Sequence, residues 1–484
     1  MKSRYLLALA ILLGMSSAIP ALAQQTTGAD PEIDVGGLLE MLQQQAKELQ
    51  QQGDVIRRQQ QLLDTQGDAL KNLQTRVDQL ANTDQKLAPL SDDEQAIRAR
   101  LESLEARTGN IDEETTTTYD FDDFDGAFAI PGSSAALRIG GFVKMNYVQS
   151  LSALGSQNRF IVGTIPTSGP GTGDPEAALT VQQSRLNFEL REETDFGKVR
   201  AFIEGDFAAV GDTFRLRHAF GQFGDLLIGK TWSTFVDTEN SPEEVDFEGI
   251  NGRINVRQAQ VRWFPEIGSD WNLELSMEDP APDITGGTGI SQIPDFVASF
   301  RRSLPLLDNS WSVKTSLLLR TLRARWEVDP DRKEEALGWA LTVSGGRPFQ
   351  KWDPRDRISV QLSYGDGYGR YVNDLSTVGG QDAVFNNDTG DLETLKVFAA
   401  YVSLQKWWND KLRSSFTASF VDIDNPDFQP DDAYKRTTRI GGNLIWSPIP
   451  RIDLGTELLW GERKDKDGST GDASQFQFSG RYRF

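Results

Sequence analysis

Residues 475–484 read QFQFSGRYRF. Phe476, Phe478, Tyr482 and Phe484 fall on one face of this stretch and Gln477, Ser479, Arg481 and Arg483 on the other, with Gly480 the one gap in the apolar row. Period two marks a β-strand. In a soluble sheet the apolar row packs on a core and the polar row meets water; in a transmembrane barrel the apolar row meets lipid and the polar row a wet lumen.

The pattern recurs from Leu137 to the end. Sixteen segments read as strands: 137–148, 180–193, 197–209, 212–223, 225–232, 252–264, 270–279, 294–303, 310–324, 336–347, 356–366, 393–406, 411–421, 436–447, 450–463 and 474–484. Most have the length that a tilted strand needs to cross a bilayer. Their apolar rows are continuous, as in Ile139, Val143, Met145 and Tyr147, in Trp271, Leu273, Leu275 and Met277, and in Ile358, Val360, Leu362 and Tyr364. Short turns such as TDFGK, PEIGSD, KWWNDK and SPIPR alternate with long Gly-, Asp- and Asn-rich loops at 149–179, 233–251, 280–293, 365–392, 422–435 and 464–473. Two connections on the long side are short, 210–211 and 325–335. A β-sandwich has no reason to sort its loops by side. An even strand count, sorted loops and a terminal aromatic predict a mainly β fold, a 16-stranded antiparallel transmembrane β-barrel over 135–484, whose last strand closes on the first. Phe484 is then the residue that barrel-assembly machinery reads, and outer-membrane lipid and lipopolysaccharide surround the wall.

Bulk composition narrows the function. The chain has 484 residues, 71 acidic against 50 basic, for a formal charge of −21, which argues against nucleic acid as a partner. With no cysteine and one histidine there is no thiol chemistry, no Cys/His metal site and no Ser-His-Asp arrangement other than one built on His218. No catalytic residue, metal or cofactor is expected, and His218 reads as a wall residue. SYGDGYG at 363–369 resembles a phosphate-cradling loop, but no helix is expected after it, so a strand-end turn explains it better.

The N-terminus predicts a different organisation. Residues 1–23 carry Lys2 and Arg4, an apolar run and a small-residue ending, a signal peptide cut after Ala23. Leu42, Leu49, Ile56, Leu63, Leu70 and Val77 repeat every seven residues, with a second seam mostly of Gln, which predicts an α-helical coiled coil within a periplasmic region, 24–107. A single amphipathic helix lying on another surface is the alternative. Residues 108–134 form an acidic, Thr-rich linker, in which Phe121, Phe124 and Phe128 are solvated or anchor into the barrel.

With the apolar face outside, the other parity lines the pore. It carries Arg138, Lys144, Arg185, Arg191, Arg200, Arg215, Arg217, Arg262, Arg301, Lys314, Arg320, Arg357, Arg413, Arg439 and Arg481, against Glu189, Glu204, Asp206, Glu274, Glu278, Asp453 and Glu457. Of these, Arg138, Lys144, Arg185, Arg200, Arg215, Arg217, Arg262, Arg320, Arg357, Arg413 and Arg439 are the expected solute-steering residues. A net basic wall favours small anions, although Arg and Glu can also pair across strands as a structural ladder. The loop TENSPEEVDFEG holds Asp237, Glu239, Glu243, Glu244, Asp246 and Glu248, which put negative charge into the pore if it folds inward as a constriction.

FAIPGSSAALRIGGFVKMNY at 128–147, followed by VRAFIEGDF, FRLRHAFGQF and LIGKTWSTFVD, resembles the DcaP-like outer-membrane porins, which are related in pattern to phosphate-selective porins. The resemblance implies a homotrimer with one pore per subunit, held partly by the periplasmic coiled coil and admitting small anionic solutes such as dicarboxylates. Lys144, Arg200, Arg215, Arg217, Glu204, Asp206 and Trp232 match its charged strands and the start of its third long loop. The short connection at Val210-Gly211 departs from trimeric porins with a longer loop there. Two alternatives remain, a phosphate-selective porin and a structural tether acting through its coiled coil.

Overall fold

A computed structural model describes residues 124–168, 175–195, 197–265, 271–306, 309–348 and 353–484. The expected leader, the heptad segment and most of the acidic linker lie outside the described residues. Sixteen strands form the wall. They are β1 (Ala135–Ser150), β2 (Arg185–Thr194), β3 (Gly197–Asp206), β4 (Arg215–Phe223), β5 (Leu226–Trp232) and β6 (Arg257–Trp263). There follow β7 (Trp271–Glu278), β8 (Asp295–Leu306), β9 (Asn309–Trp326), β10 (Lys333–Pro348) and β11 (Arg357–Asp366). The last are β12 (Lys396–Asn409), β13 (Leu412–Asp424), β14 (Tyr434–Ile449), β15 (Ile452–Asp465) and β16 (Thr470–Arg483). Each pairs antiparallel with its sequence neighbours. β16 returns to β1 with Lys144 opposite Arg481 and Tyr147 opposite Phe478, which closes the barrel.

Alternation places the side chains as lipid requires. Phe478, Tyr482 and Phe484 are exposed on the outer face, whereas Gln475 and Gln477 are fully buried inside. Leu362, Ile440 and Met277 repeat the arrangement elsewhere. Polar side chains inside and apolar side chains outside invert the order of a soluble protein, and closure leaves no strand edge unpaired in hydrocarbon.

Several boundaries differ from the sequence reading. The expected strand 180–193 is divided into a short strand, Ala177–Thr180, and β2. Between them the Ser184 hydroxyl accepts the Lys144 N–H at 3.0 Å, replacing a ladder bond. The connection expected at 210–211 spans 207–214: Asp206, held by Arg215 and Arg217, ends β3, and Gly211 (φ 69°) with Asp212 (φ 58°) turns the chain. The loop expected at 464–473 is the hairpin 466–469, because β15 and β16 extend above the apolar band. A helix of six residues, α1 (Asn373–Val378), does follow SYGDGYG. Asp374 in its first turn places a carboxylate where an anion would dock. Its burial raises its pKa, against bonds from the Tyr434 hydroxyl, the Gly163 N–H and the Thr437 hydroxyl that pull it down.

The lumen is filled on one side. Phe235, Val236 and Ile254 from the loop 233–256, with Tyr368, Tyr371, Val372 and Leu375 from the loop 367–395, pack on inward Val297, Leu318, Ala340, Val397 and Val421 of β8–β13. Phe160, Val162 and Ile165 pack on Leu459 and Ala473 of β15 and β16. The unfilled part of the lumen therefore lies off-centre, against the β1–β6 wall.

Leu362 lies mid-strand and outward, 55% exposed. Leu362→Arg should lower the unfolding free energy in a bilayer by about 2–4 kcal/mol. Denaturant titration in lipid vesicles measures this, and an unchanged midpoint would mean that the face does not meet hydrocarbon.

Candidate functional site

The loop 233–256 follows the inner wall strand by strand. Thr234 N–H donates to Glu278 of β7 at 2.8 Å, and its carbonyl accepts the Ser299 hydroxyl of β8 at 2.7 Å. Lys314 of β9 donates to the Val236 carbonyl at 2.9 Å, and Ser344 of β10 to Asp237 at 2.6 Å. Arg357 of β11 and Tyr401 of β12 donate to Asn240. Glu457 of β15 accepts the N–H groups of Val245 and Asp246 at 3.1 and 2.6 Å. Gln477 of β16 donates to Asp246 at 2.8 Å, and Lys144 of β1 to the Val245 carbonyl at 2.7 Å. On the return, Gly252 lies so close to the wall that a Cβ would stand 2.7 Å from the carbonyls of Ala400 and Phe420.

Arginines of the covered wall take up the loop's carboxylates. Asp237 meets Arg301 at 2.7 Å and Glu239 meets it at 2.8 Å. Glu243 receives two bonds from Arg413, at 2.6 and 2.7 Å. Glu244 pairs with the fully buried Arg439 at 2.6 Å, and Asp246 with the same guanidinium at 3.5 Å. Burial pushes the Asp237 carboxyl up, but the Arg301 charge and bonds from Arg301, Ser344 and Asn240 more than reverse it, so it titrates below the usual range. Glu248 goes the other way. Its burial raises it, only partly offset by the Arg159 charge at 3.1 Å and the Thr377 hydroxyl at 2.7 Å.

Between the loop and the uncovered wall lies a cavity of about 370 Å³. Lys144, Arg185, Arg215, Arg217, Arg257 and Arg481 line it from the wall, with Phe142, Trp232 and Phe247 beneath them; Glu244, Asp246, Glu248 and Arg253 line it from the loop. The wall carboxylates here are few. Asp206 meets Arg217 at 2.6 Å and Arg215 at 2.8 Å, and Glu204 meets Arg185 and Arg217 at 3.4 and 3.3 Å. A bulge between Glu204 and Gly205 on β3 and the facing β4 lets Arg215, Arg217 and His218 all turn inward. His218 bonds the Thr231 hydroxyl at 3.0 Å and packs edge-on to Trp232, as a wall residue.

The expected steering residues therefore fall into five places. Lys144, Arg185, Arg215 and Arg217 line the cavity. Arg357, Arg413 and Arg439 hold the loop, while Arg262 binds the Trp232 carbonyl and Arg320 is fully buried between Asp295 (3.3 Å) and Asp382 (3.0 Å), clasping two outer loops. Arg138 and Arg200 stand with Arg191 around Glu189 at the turn side. The sequence reading missed Arg159, Arg253 and Arg257. Arg257 has outward parity beside Gln258 and Gln260, yet it lines the cavity from the first position of β6, opposite Trp232 in the ladder and stacked 4.4 Å over its ring. Among the described residues no group of His, Cys, Asp and Glu is arranged to hold a metal.

Arg439→Gln should leave Glu244 and Asp246 without their cation, release the loop and shift permeability toward cations. Single-channel recording should show rapid flicker; a quiet trace with unaltered selectivity would contradict the pairing.

A profile of the DcaP outer membrane protein family matches residues 149–484. No curated protein sequence matches the chain. Among solved structures, the outer membrane channel DcaP of Acinetobacter baumannii is similar at 21% identity and a TM-score of 0.65, covering 74% of this chain and 100% of its own. An anion-selective porin from Comamonas acidovorans is similar at 12% identity and a TM-score of 0.50, covering 72% of this chain and 100% of its own. The barrel, its inward loop and the family match agree: the chain belongs to the DcaP outer membrane protein family.

Proposed function

We propose that the protein is an anion-preferring diffusion channel for small carboxylates, dicarboxylates among them, working as an outer-membrane homotrimer. A barrel of this family is a channel and not an enzyme. The observation that carries the reading is the division of charge. Asp237, Glu239, Glu243, Glu244 and Asp246 pair with Arg301, Arg413 and Arg439 on the covered wall, leaving Lys144, Arg185, Arg215, Arg217 and Arg257 to face the open path with Glu204 and Asp206 as their wall carboxylates. Guanidiniums in a narrow wet passage lower the barrier to anions and offer forked donors to a carboxylate. The neighbouring anion-selective porin is consistent with this reading. A leader removed after Ala23, a periplasmic coiled coil over 24–107 and an acidic linker to 134 complete the proposed organisation, the coil joining three copies.

Reversal potential in a planar bilayer under a potassium chloride gradient tests the proposal. Anion selectivity is expected, reduced in Arg185→Gln and Arg257→Gln, with added succinate blocking chloride current. Cation selectivity would overturn it.

A further inference from the structure

The outer face of β6–β10 carries a feature that the pore does not use. Ala298 of β8 has outward parity and lies between Leu275 of β7 and Leu317 of β9, its partners in the ladder. Its small side chain leaves an apolar groove of about 390 Å³, around which Trp263, Met277, Phe296 and Leu319 stand exposed.

Nearer the turns the same face becomes cationic. Arg302 has the parity of Ala298 on the same strand, and its guanidinium lies 4.1 Å from the ring centre of Trp271, which packs on Phe300 at 4.4 Å. Arg302 is opposite Val313 of β9, and Val313 is opposite Gly345 of β10. Arg347 shares the outward parity of Gly345 and stands 5.7 Å from the ring centre of Trp311. Strand spacing and rise put the two arginine Cα atoms roughly 12 Å apart. Each guanidinium is thus laid on a tryptophan, the residue type that marks the boundary between hydrocarbon and headgroups. Of the acidic residues in the neighbouring turns, Asp353 is held by Arg355 at 2.7 Å and Asp356 by Lys406 at 2.5 Å, while Glu266, Asp270 and Asp308 lie outside the described residues.

Depth selects the occupant. Arg302 to Phe296 is about 20 Å along the strand, or about 15 Å along the membrane normal for a tilt of about 40°. That is half of a hydrocarbon core of about 30 Å, one leaflet. A phosphodiester on the arginines therefore leaves its acyl chain at the height of the groove.

We propose that this face is a specific seat for one glycerophospholipid of the turn-side leaflet. Arg302 and Arg347 hold its phosphate, and an acyl chain lies in the groove over Ala298. Guanidiniums offer forked donors to phosphate oxygens, and a phosphodiester is the anion that a leaflet supplies at that height. Lipopolysaccharide, whose phosphates lie in the loop-side leaflet, is out of reach of both arginines. The seat lies outside the lumen and does not depend on the ion preference of the pore.

Native mass spectrometry tests this on the full-length protein, taken from vesicles of phosphatidylethanolamine and phosphatidylglycerol into mild detergent. One phospholipid per subunit should stay bound. Ala298→Phe, which fills the groove and keeps both arginines, and separately Arg302→Gln with Arg347→Gln, should each weaken retention on the order of ten-fold. Ile440→Phe, on the outer face of β14, should leave it unaltered, and the reversal potential should be the same in all variants. Ala298→Phe only adds apolar surface toward lipid, so it keeps the test standing if the arginine variant fails to fold. Full retention in Ala298→Phe would overturn the proposal, as would an equal loss in Ile440→Phe. Full retention in the arginine variant would mean that turn carboxylates occupy the guanidiniums, and would overturn it too. So would lipopolysaccharide held in place of phospholipid, or disulfide-linked dimers of Ala298→Cys, the mark of a second copy on this face.

Discussion

The attachment of the loop 233–256 to the inner wall is the constraint on which the rest depends. A 16-stranded ring alone would enclose a wide aqueous channel. The loop crosses wall residues from β7 round to β1, and its bonds follow the strand order, so it is laid along the wall and not hung across the lumen. Its hold is a mixture of carboxylate–guanidinium pairs, backbone N–H groups on Glu457, and the apolar cluster around Phe235 and Tyr371. Removing one partner of such a buried pair leaves an uncompensated charge at a cost of about 3–5 kcal/mol, so the arrangement is strongly specified.

Charge separation follows from that attachment. A loop with six acidic residues folded into a pore would ordinarily make it cation-attracting. Here Arg301, Arg413 and Arg439 of the covered wall take up five of those carboxylates and Arg159 of another loop the sixth, while the uncovered β1–β6 wall keeps an excess of arginine and lysine. Overall formal charge, −21, therefore says nothing about the field that a solute meets. Aromatic rings beneath the guanidiniums, Phe142 under Arg185 and Phe247 under Arg215, fix the heads in place without neutralising them.

The barrel was legible because lipid enforces alternation on every strand, from Ile139 and Val143 to Phe478 and Tyr482. Loop lengths were less legible: β15 and β16 continue past the apolar band, where the outer face no longer meets hydrocarbon and the inner face packs on residues 160–166, so the alternation lapses and the hairpin at 466–469 looked like a longer loop. Inward parity grouped Lys144, Arg185, Arg215 and Arg217, which line the cavity, with Arg413 and Arg439, which hold the loop, and with Arg320, which clasps two others. That distinction depends on which carboxylates arrive from distant segments. Arg257 and Phe124 were hidden for a related reason, since one stands at the very start of a strand and the other outside any strand, where alternation does not fix the face a side chain takes.

The absence of cysteine allows the central claim to be tested directly. Asn251 and Ser419 are hydrogen-bonded across the loop–wall contact. A protein carrying Asn251→Cys and Ser419→Cys should form the cross-link on mild oxidation, and its single-channel conductance before and after oxidation should be the same, because the loop already rests there. Failure to cross-link, or a large change in conductance on oxidation, would show that the loop spends its time elsewhere and would contradict the account.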